Sequence, residues 1–153
     1  MLWYISMRKN VKLLLLILWM VVIFMFSNQV ATSSSESTNI VIIILYKIFS
    51  FFNNNISLID FTNVLFTPVR KIAHFSEYMI LGILAILYFD EINKNNKYLY
   101  AIVLSSIYAI SDEIHQIFVD GRACTILDMC IDICGALVGV LLFYLVFKRW
   151  RKE

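Results

Sequence analysis

Residues 11–26 read VKLLLLILWMVVIFMF, a nearly unbroken apolar run with one charge, Lys12. Crossing a hydrocarbon layer about 30 Å thick takes roughly 20 apolar residues at about 1.5 Å each. With its flanks the run meets that length, and three further stretches do the same. The pattern predicts spans at about 11–28, 71–89, 98–118 and 128–147. Residues 40–52 are also apolar, but the stretch is short and carries Lys47. It reads as an interfacial or re-entrant helix in the first outer loop.

Composition agrees. Of 153 residues, 61% are hydrophobic and 16% charged, and the mean hydropathy is +0.79. A soluble domain of this length needs far more polar surface. One proline, Pro68, and four glycines leave little room for linkers, and no repeat is visible. The expected fold is all-α: an integral membrane four-helix bundle, with residues 1–153 as a single domain. The first span also has features of a cleaved signal peptide, namely a basic start and Ala31, Thr32 and Ser33 as small residues after it. Cleavage there would remove Ser27, Asn28 and Gln29, which belong with the polar residues discussed next.

Lysine and arginine set the expected orientation. With the N-terminus inside, Arg8, Lys9, Lys12, Lys94, Lys97, Lys148, Arg149, Arg151 and Lys152 are cytoplasmic, nine of the thirteen basic residues. Lys47, Arg70, Lys71 and Arg122 fall outside. The expectation is a plasma-membrane protein of several passes with both termini in the cytoplasm.

The remaining polar residues collect at the outer ends of the spans. Ser27, Asn28 and Gln29 close the first. Lys71, His74, Glu77 and Tyr78 open the second. Asp112, Glu113, His115 and Gln116 close the third, Gly121 and Arg122 follow in the turn, and Asp128 and Asp132 open the fourth. At about 100° per residue, Lys71, His74 and Tyr78 share a helix face with Glu77 at its edge. Ser105, Tyr108, Asp112, His115 and Gln116 form a second stripe. Asp128, Asp132, Gly135 and Gly139 form a third, whose glycines admit a close neighbour. Unpaired charge facing lipid is costly, so these stripes are expected to turn inward. Any one of them alone is an ordinary interhelical hydrogen bond or a snorkelling charge. Gln116 and Tyr78 suit packing better than chemistry. Cys124, Cys130 and Cys134 read as small apolar residues, with a disulfide or metal site as the alternative.

Ser27-Asn28-Gln29, Lys71-x2-His74-x2-Glu77-Tyr78, the stretch SDEIHQIFVDGR at 111–122, and Asp128-x3-Asp132-x2-Gly135 together resemble the VanZ-like membrane protein family, over about residues 10–147. The resemblance implies the bacterial cell envelope as a setting. Its founding member is associated with low-level resistance to the glycopeptide teicoplanin, apart from the enzymes that rewrite the wall precursor. The resemblance names no reaction.

Three functions are open on this reading. The first is binding or processing of a phosphate-bearing lipid or cell-wall precursor at the outer leaflet. Lys71 and Arg122 would neutralise the phosphate, joined by Gln116, Asp128, Asp132, Asn28 and Gln29 as binding residues. His74 and His115, with Asp112, Glu113 and Glu77, are the candidate catalytic groups, one carboxylate orienting a histidine. No cofactor is indicated; a divalent metal held by histidines and carboxylates is a variant, without a His-x3-His or Cys-x2-Cys spacing to anchor it. The second is a non-catalytic protein that binds the antibiotic or a wall-synthesis partner. The third is a proton-coupled transporter, for which four spans are few. The basic residues form short flanks without interleaved aromatics, which gives nucleic-acid binding no support.

Overall fold

The computed structural model describes residues 9–52, 56–92 and 95–150, the last four by their backbone alone. Arg8, Lys94, Arg151 and Lys152, used above for orientation, lie outside the described residues, as do the side chains of Lys148 and Arg149. Five helices make up the regular structure: α1 (Lys9–Ser27), α2 (Ala31–Ser50), α3 (Leu58–Glu91), α4 (Lys97–Gln116) and α5 (Ile126–Trp150). No strand occurs among the described residues. By length and apolarity α1, α3 and α5 are able to cross a membrane. The 20-residue α4 falls outside that group because its polar stripe lowers its hydropathy.

Two boundaries differ from the sequence expectation, each for a local reason. The second predicted span, placed at 71–89, is the last part of a 34-residue helix that begins at Leu58. Ser57 starts it: its Oγ accepts from the Asp60 backbone N–H at 3.1 Å and donates to the Asp60 carboxylate at 2.6 Å. Pro68 sits inside this helix and denies the Val64 carbonyl its usual partner. Both residues are exposed, so that carbonyl is not sealed in a dry core. The segment read as a short helix at 40–52 starts instead at Ala31. Its serines and threonine, which ordinarily compete with helix formation, bond back along it. Ser35, Ser37 and Thr38 donate to the carbonyls of Ala31, Ser33 and Ser34 at 2.7, 3.2 and 3.0 Å.

α3 is the central element, with α5, α4, α2 and α1 packed against it. Leu16 and Ile23 of α1, Tyr78, Leu81, Ala85 and Ile86 of α3, Ala101 and Ala109 of α4, and Val140 and Phe143 of α5 form one core. The α3–α5 seam is held backbone to backbone. A Cβ at Gly135 would lie 2.3 Å from the Phe75 carbonyl oxygen, and one at Gly139 would lie 2.1 Å from that of Met79. Gly82 of α3 does the same toward Ala136, at 2.4 Å. The glycine stripe expected from sequence therefore finds its partner in α3.

Outside this core the surface is apolar. Leu14, Leu18, Val21 and Met25 of α1 and Leu141, Leu145 and Val146 of α5 are all exposed. At the end away from the polar stripes, Lys12 pairs with Glu91 at 2.5 Å and Lys97 with Asp90. At the other end α3 continues past Arg70 for twelve residues, about 18 Å. There α2 runs beside it as a hairpin. The Tyr46 and Phe49 rings pack on Phe61 at 5.4 and 5.3 Å, and Tyr46 donates to the Ile56 carbonyl at 3.2 Å. Its turn exposes Phe51 and Phe52 at 85% and 81%.

Candidate functional site

The polar end of the molecule is assembled by all five helices and the α4–α5 connection. Asp132 rises from the second turn of α5, beside the Gly135–Phe75 contact, and is 0% exposed. Its Oδ1 lies 3.9 Å from Nδ1 of His74 on α3, and neither of its oxygens accepts a hydrogen bond. Glu77, Asp112, Glu113 and Asp128 are all within electrostatic reach of Asp132. Glu113 points from α4 into the α4–α5 connection, where its Oε2 accepts from the Thr125 backbone N–H at 3.0 Å. Thr125 in turn caps α5 through Asp128 N at 3.0 Å. The other Glu113 oxygen is buried without a partner. Five carboxylates gathered this way are costly unless something positive joins them.

Three cations stand near. Arg122 is spoken for in large part: its Nε donates to the Gln29 carbonyl at 3.1 Å and one terminal nitrogen lies 3.4 Å from the Phe26 carbonyl. It straps the α4–α5 connection to the end of α1, while Nη1 stays buried and unpartnered. Burial first, then Arg70 nearby, hold its pKa below the ordinary value, offset by Asp112, Glu113 and Glu77. Arg70 and Lys71 are different. No salt bridge joins either to a carboxylate among the described residues.

Both line a cleft of about 370 Å³ together with Thr67, His74, Thr125 and Asp128. A smaller cleft of about 170 Å³ opens on the other side of α3, where Gln29, Ser37, Thr38, Glu77 and Arg122 meet Arg70 and His74 again. Arg70 and His74 are thus the wall the two clefts share. Among the described residues no group of three or more His, Cys, Asp and Glu side chains is arranged to hold a metal ion. The three cysteines are free thiols.

Of the residues singled out by sequence, His74, Glu77, Lys71, Arg122, Asp128 and Gln29 line one cleft or the other, and Asp132, Glu113 and Asp112 lie behind them. His115 does not join them. Its ring packs on Phe24 at 4.8 Å and its Nε2 is 3.3 Å from the Asn28 amide oxygen, between α4 and α1. The two histidines thus face different neighbours and form no acid–base pair. Gln116 is buried and reaches Asp112 at 3.5 Å. Asp112 faces Ser27, Gln116 and Tyr78. Tyr78 is fully buried in the core, and Tyr108 donates to the Met20 carbonyl at 2.5 Å.

The family model for VanZ/LLP1 matches residues 12–147, nearly the whole chain. The chain belongs to the VanZ/LLP1 family. This family membership and the long apolar helices make it a membrane protein. No curated protein and no solved structure matches it.

In this VanZ/LLP1 member four residues outside the quoted motifs also contribute. Arg70 precedes the Lys71-x2-His74 motif by one residue and lines both clefts. Continuous helix through Pro68 carries it there. Thr125, in the connection, holds Glu113 and caps α5 at once. The hydroxyls of Ser37 and Thr38 come from the first half of α2, outside the quoted motifs.

Proposed function

We propose that this VanZ/LLP1 protein binds the phosphate of a lipid or lipid-linked cell-wall precursor in the cleft lined by Arg70, Lys71 and His74. One observation carries this reading. Two cations sit at the edge of an open cleft without carboxylate partners, although five carboxylates belong to the same end of the molecule. An anion brought from outside supplies what the protein withholds. The depth suits a headgroup, since the cleft lies at the end of the apolar core.

In this reading α4 crosses the bilayer with α1, α3 and α5, its polar stripe turned inward, and the charged end faces outward across a bacterial plasma membrane with both termini inside. The hairpin of α2 and the first turns of α3 rests in the outer interface, its two exposed phenylalanines among the headgroups. Whether binding leads on to chemistry turns on His74. Asp132 stands 3.9 Å from Nδ1 with no hydrogen bond between them; closing that gap would hold Nδ1–H and leave Nε2 for proton transfer.

The test uses the full chain in nanodiscs doped with a lipid phosphate or with the neutral lipid of the same chains. Retention of the phosphate lipid, lost by about tenfold or more in Arg70→Ala with Lys71→Ala, supports the reading. Equal retention of both lipids by the unaltered chain overturns it.

A further inference from the structure

The smaller cleft has a cation of its own. Lys71 lines only the larger cleft and Arg122 only the smaller, while Arg70 and His74 wall both. The Arg122 guanidinium is held in place by the Gln29 and Phe26 carbonyls at 3.1 and 3.4 Å. That leaves Nη1, buried and without an acceptor. A buried donor in this state costs free energy, and an acceptor brought from outside relieves it. Against the two guanidinium groups of the lining stands the Glu77 carboxylate, which leaves one positive charge over. Asp112 and Glu113 also act on Arg122, but both are buried and line neither cleft. An anion completes this balance.

The two clefts also lie at different depths. Along α3 the larger is lined from Phe66 to His74 and the smaller from Val69 to Glu77. The smaller is therefore shifted by about 4.5 Å toward the apolar core. Phe26 of α1, Val41 of α2 and Ala73 of α3 are exposed at its edge. At the larger cleft Thr67, Gly121 and Ala123 are exposed instead. Cations set behind an apolar edge match an amphiphile, whose charged head and hydrocarbon chains need both. We infer that the smaller cleft is a second anion site, which takes the phosphate of a phospholipid from the adjoining leaflet. The lipid enters sideways between α1 and α2, its head on Arg122 and Arg70 and its chains over Phe26, Val41 and Ala73. This site stands on Arg122, which the larger cleft lacks, and so goes beyond the reading above. With both sites filled, the protein holds two phosphate lipids, one on each side of α3.

The experiment places the full chain in nanodiscs with phosphatidic acid or with diacylglycerol of the same acyl chains. Lipids retained on release are counted by native mass spectrometry. Three variants are compared with the unaltered chain: Lys71→Ala, Arg122→Gln, and Ala73→Trp, which fills the smaller cleft and leaves every charge in place. The unaltered chain should retain two phosphatidic acids and each variant one. Lys71→Ala combined with Ala73→Trp should retain none. Arg122→Gln reads the smaller site through charge, so the inference stays testable if the tryptophan variant does not fold. One lipid on the unaltered chain, lost in Lys71→Ala and kept in the other two, overturns the inference and leaves the phosphate reading in place. The reverse pattern upholds the smaller site and overturns that reading. In a further arm, diacylglycerol discs receive inorganic phosphate. Binding of the free ion that Ala73→Trp abolishes, as strong as that of phosphatidic acid, overturns the assignment to a lipid. Diacylglycerol retained as well as phosphatidic acid overturns both readings.

Discussion

Asp132 and His74 face each other across the α3–α5 seam at 3.9 Å, and the aspartate is fully buried with no hydrogen bond to either oxygen. Left without partners, a buried carboxyl costs free energy. On the proposed reading, that stability is given up to the site.

The first prediction follows directly. Asp132→Asn keeps the shape and removes the ionisable group, so the protein should melt at the same or a higher temperature in detergent. Retention of a phosphate lipid should stay the same or rise, because a negative charge behind the cleft is removed. A melting temperature many degrees lower would mark Asp132 as a structural residue instead.

The glycine seam gives the second. Leucine at Gly139 must place atoms where the Met79 carbonyl oxygen already is, 2.1 Å from the Cβ position. Overpacking of this kind costs about 1–3 kcal/mol and occasionally more. Gly139→Leu and Gly135→Leu should reduce the yield of folded protein and lower its melting point. A control at exposed Leu141, Leu141→Ala, should do neither.

Arg122 supplies the third. Lysine is a point charge on a flexible stem and cannot hold the Gln29 and Phe26 carbonyls with a planar fork. Arg122→Lys should therefore loosen the end of α1, raising amide hydrogen exchange over residues 26–31. Exchange in α5 should stay as it was. Unchanged exchange at 26–31 would show that the strap carries no weight.

A fourth concerns topology. Cys124 lies in the α4–α5 connection at the polar end, partly exposed, whereas Cys130 and Cys134 lie on the apolar face of α5. In a background of Cys130→Ser and Cys134→Ser, a membrane-impermeant maleimide added to intact cells should modify Cys124. Modification only after permeabilisation would turn the site to the cytoplasm.

The fifth concerns the far end. Lys12 is 4% exposed and is held by Glu91 at 2.5 Å. Lys12→Ala leaves that carboxylate without its partner, and the loss should stay below the about 3–5 kcal/mol of a fully buried pair because Glu91 is partly solvated. Thermal melts of Lys12→Ala, Glu91→Ala and the double variant form the cycle that isolates the pair.

Much of this was legible in the chain. Apolar runs of the right length gave α1, the membrane-length part of α3 and α5, and helical spacing put Lys71 and His74 on one face, whereas Glu77 lines the smaller cleft, which Lys71 does not. Spacing gives the angle of a side chain around its own helix, however, and not which neighbour it meets. That is why His115, on the right stripe of α4, lies against Phe24 and Asn28 of α1 rather than beside His74. The beginning of α2 was hidden because Ser and Thr favour turns unless, as here, they bond back to their own helix. The reach of α3 through Pro68 was hidden for the same kind of reason: proline ordinarily marks an end. Arg122 looked like a free cation because nothing in a sequence shows which carbonyls a guanidinium will find.

The contact of Gly135 and Gly139 with the carbonyls of α3 has a consequence for how a bulky lipid would get in. Two helices meshed at main-chain distance travel as one body, and the gap between His74 and Asp132 is set by that mesh. If a lipid binds as proposed, the flank left to yield is the one where α1 and α2 meet α3, which Arg122 ties to the α4–α5 connection through the Gln29 carbonyl.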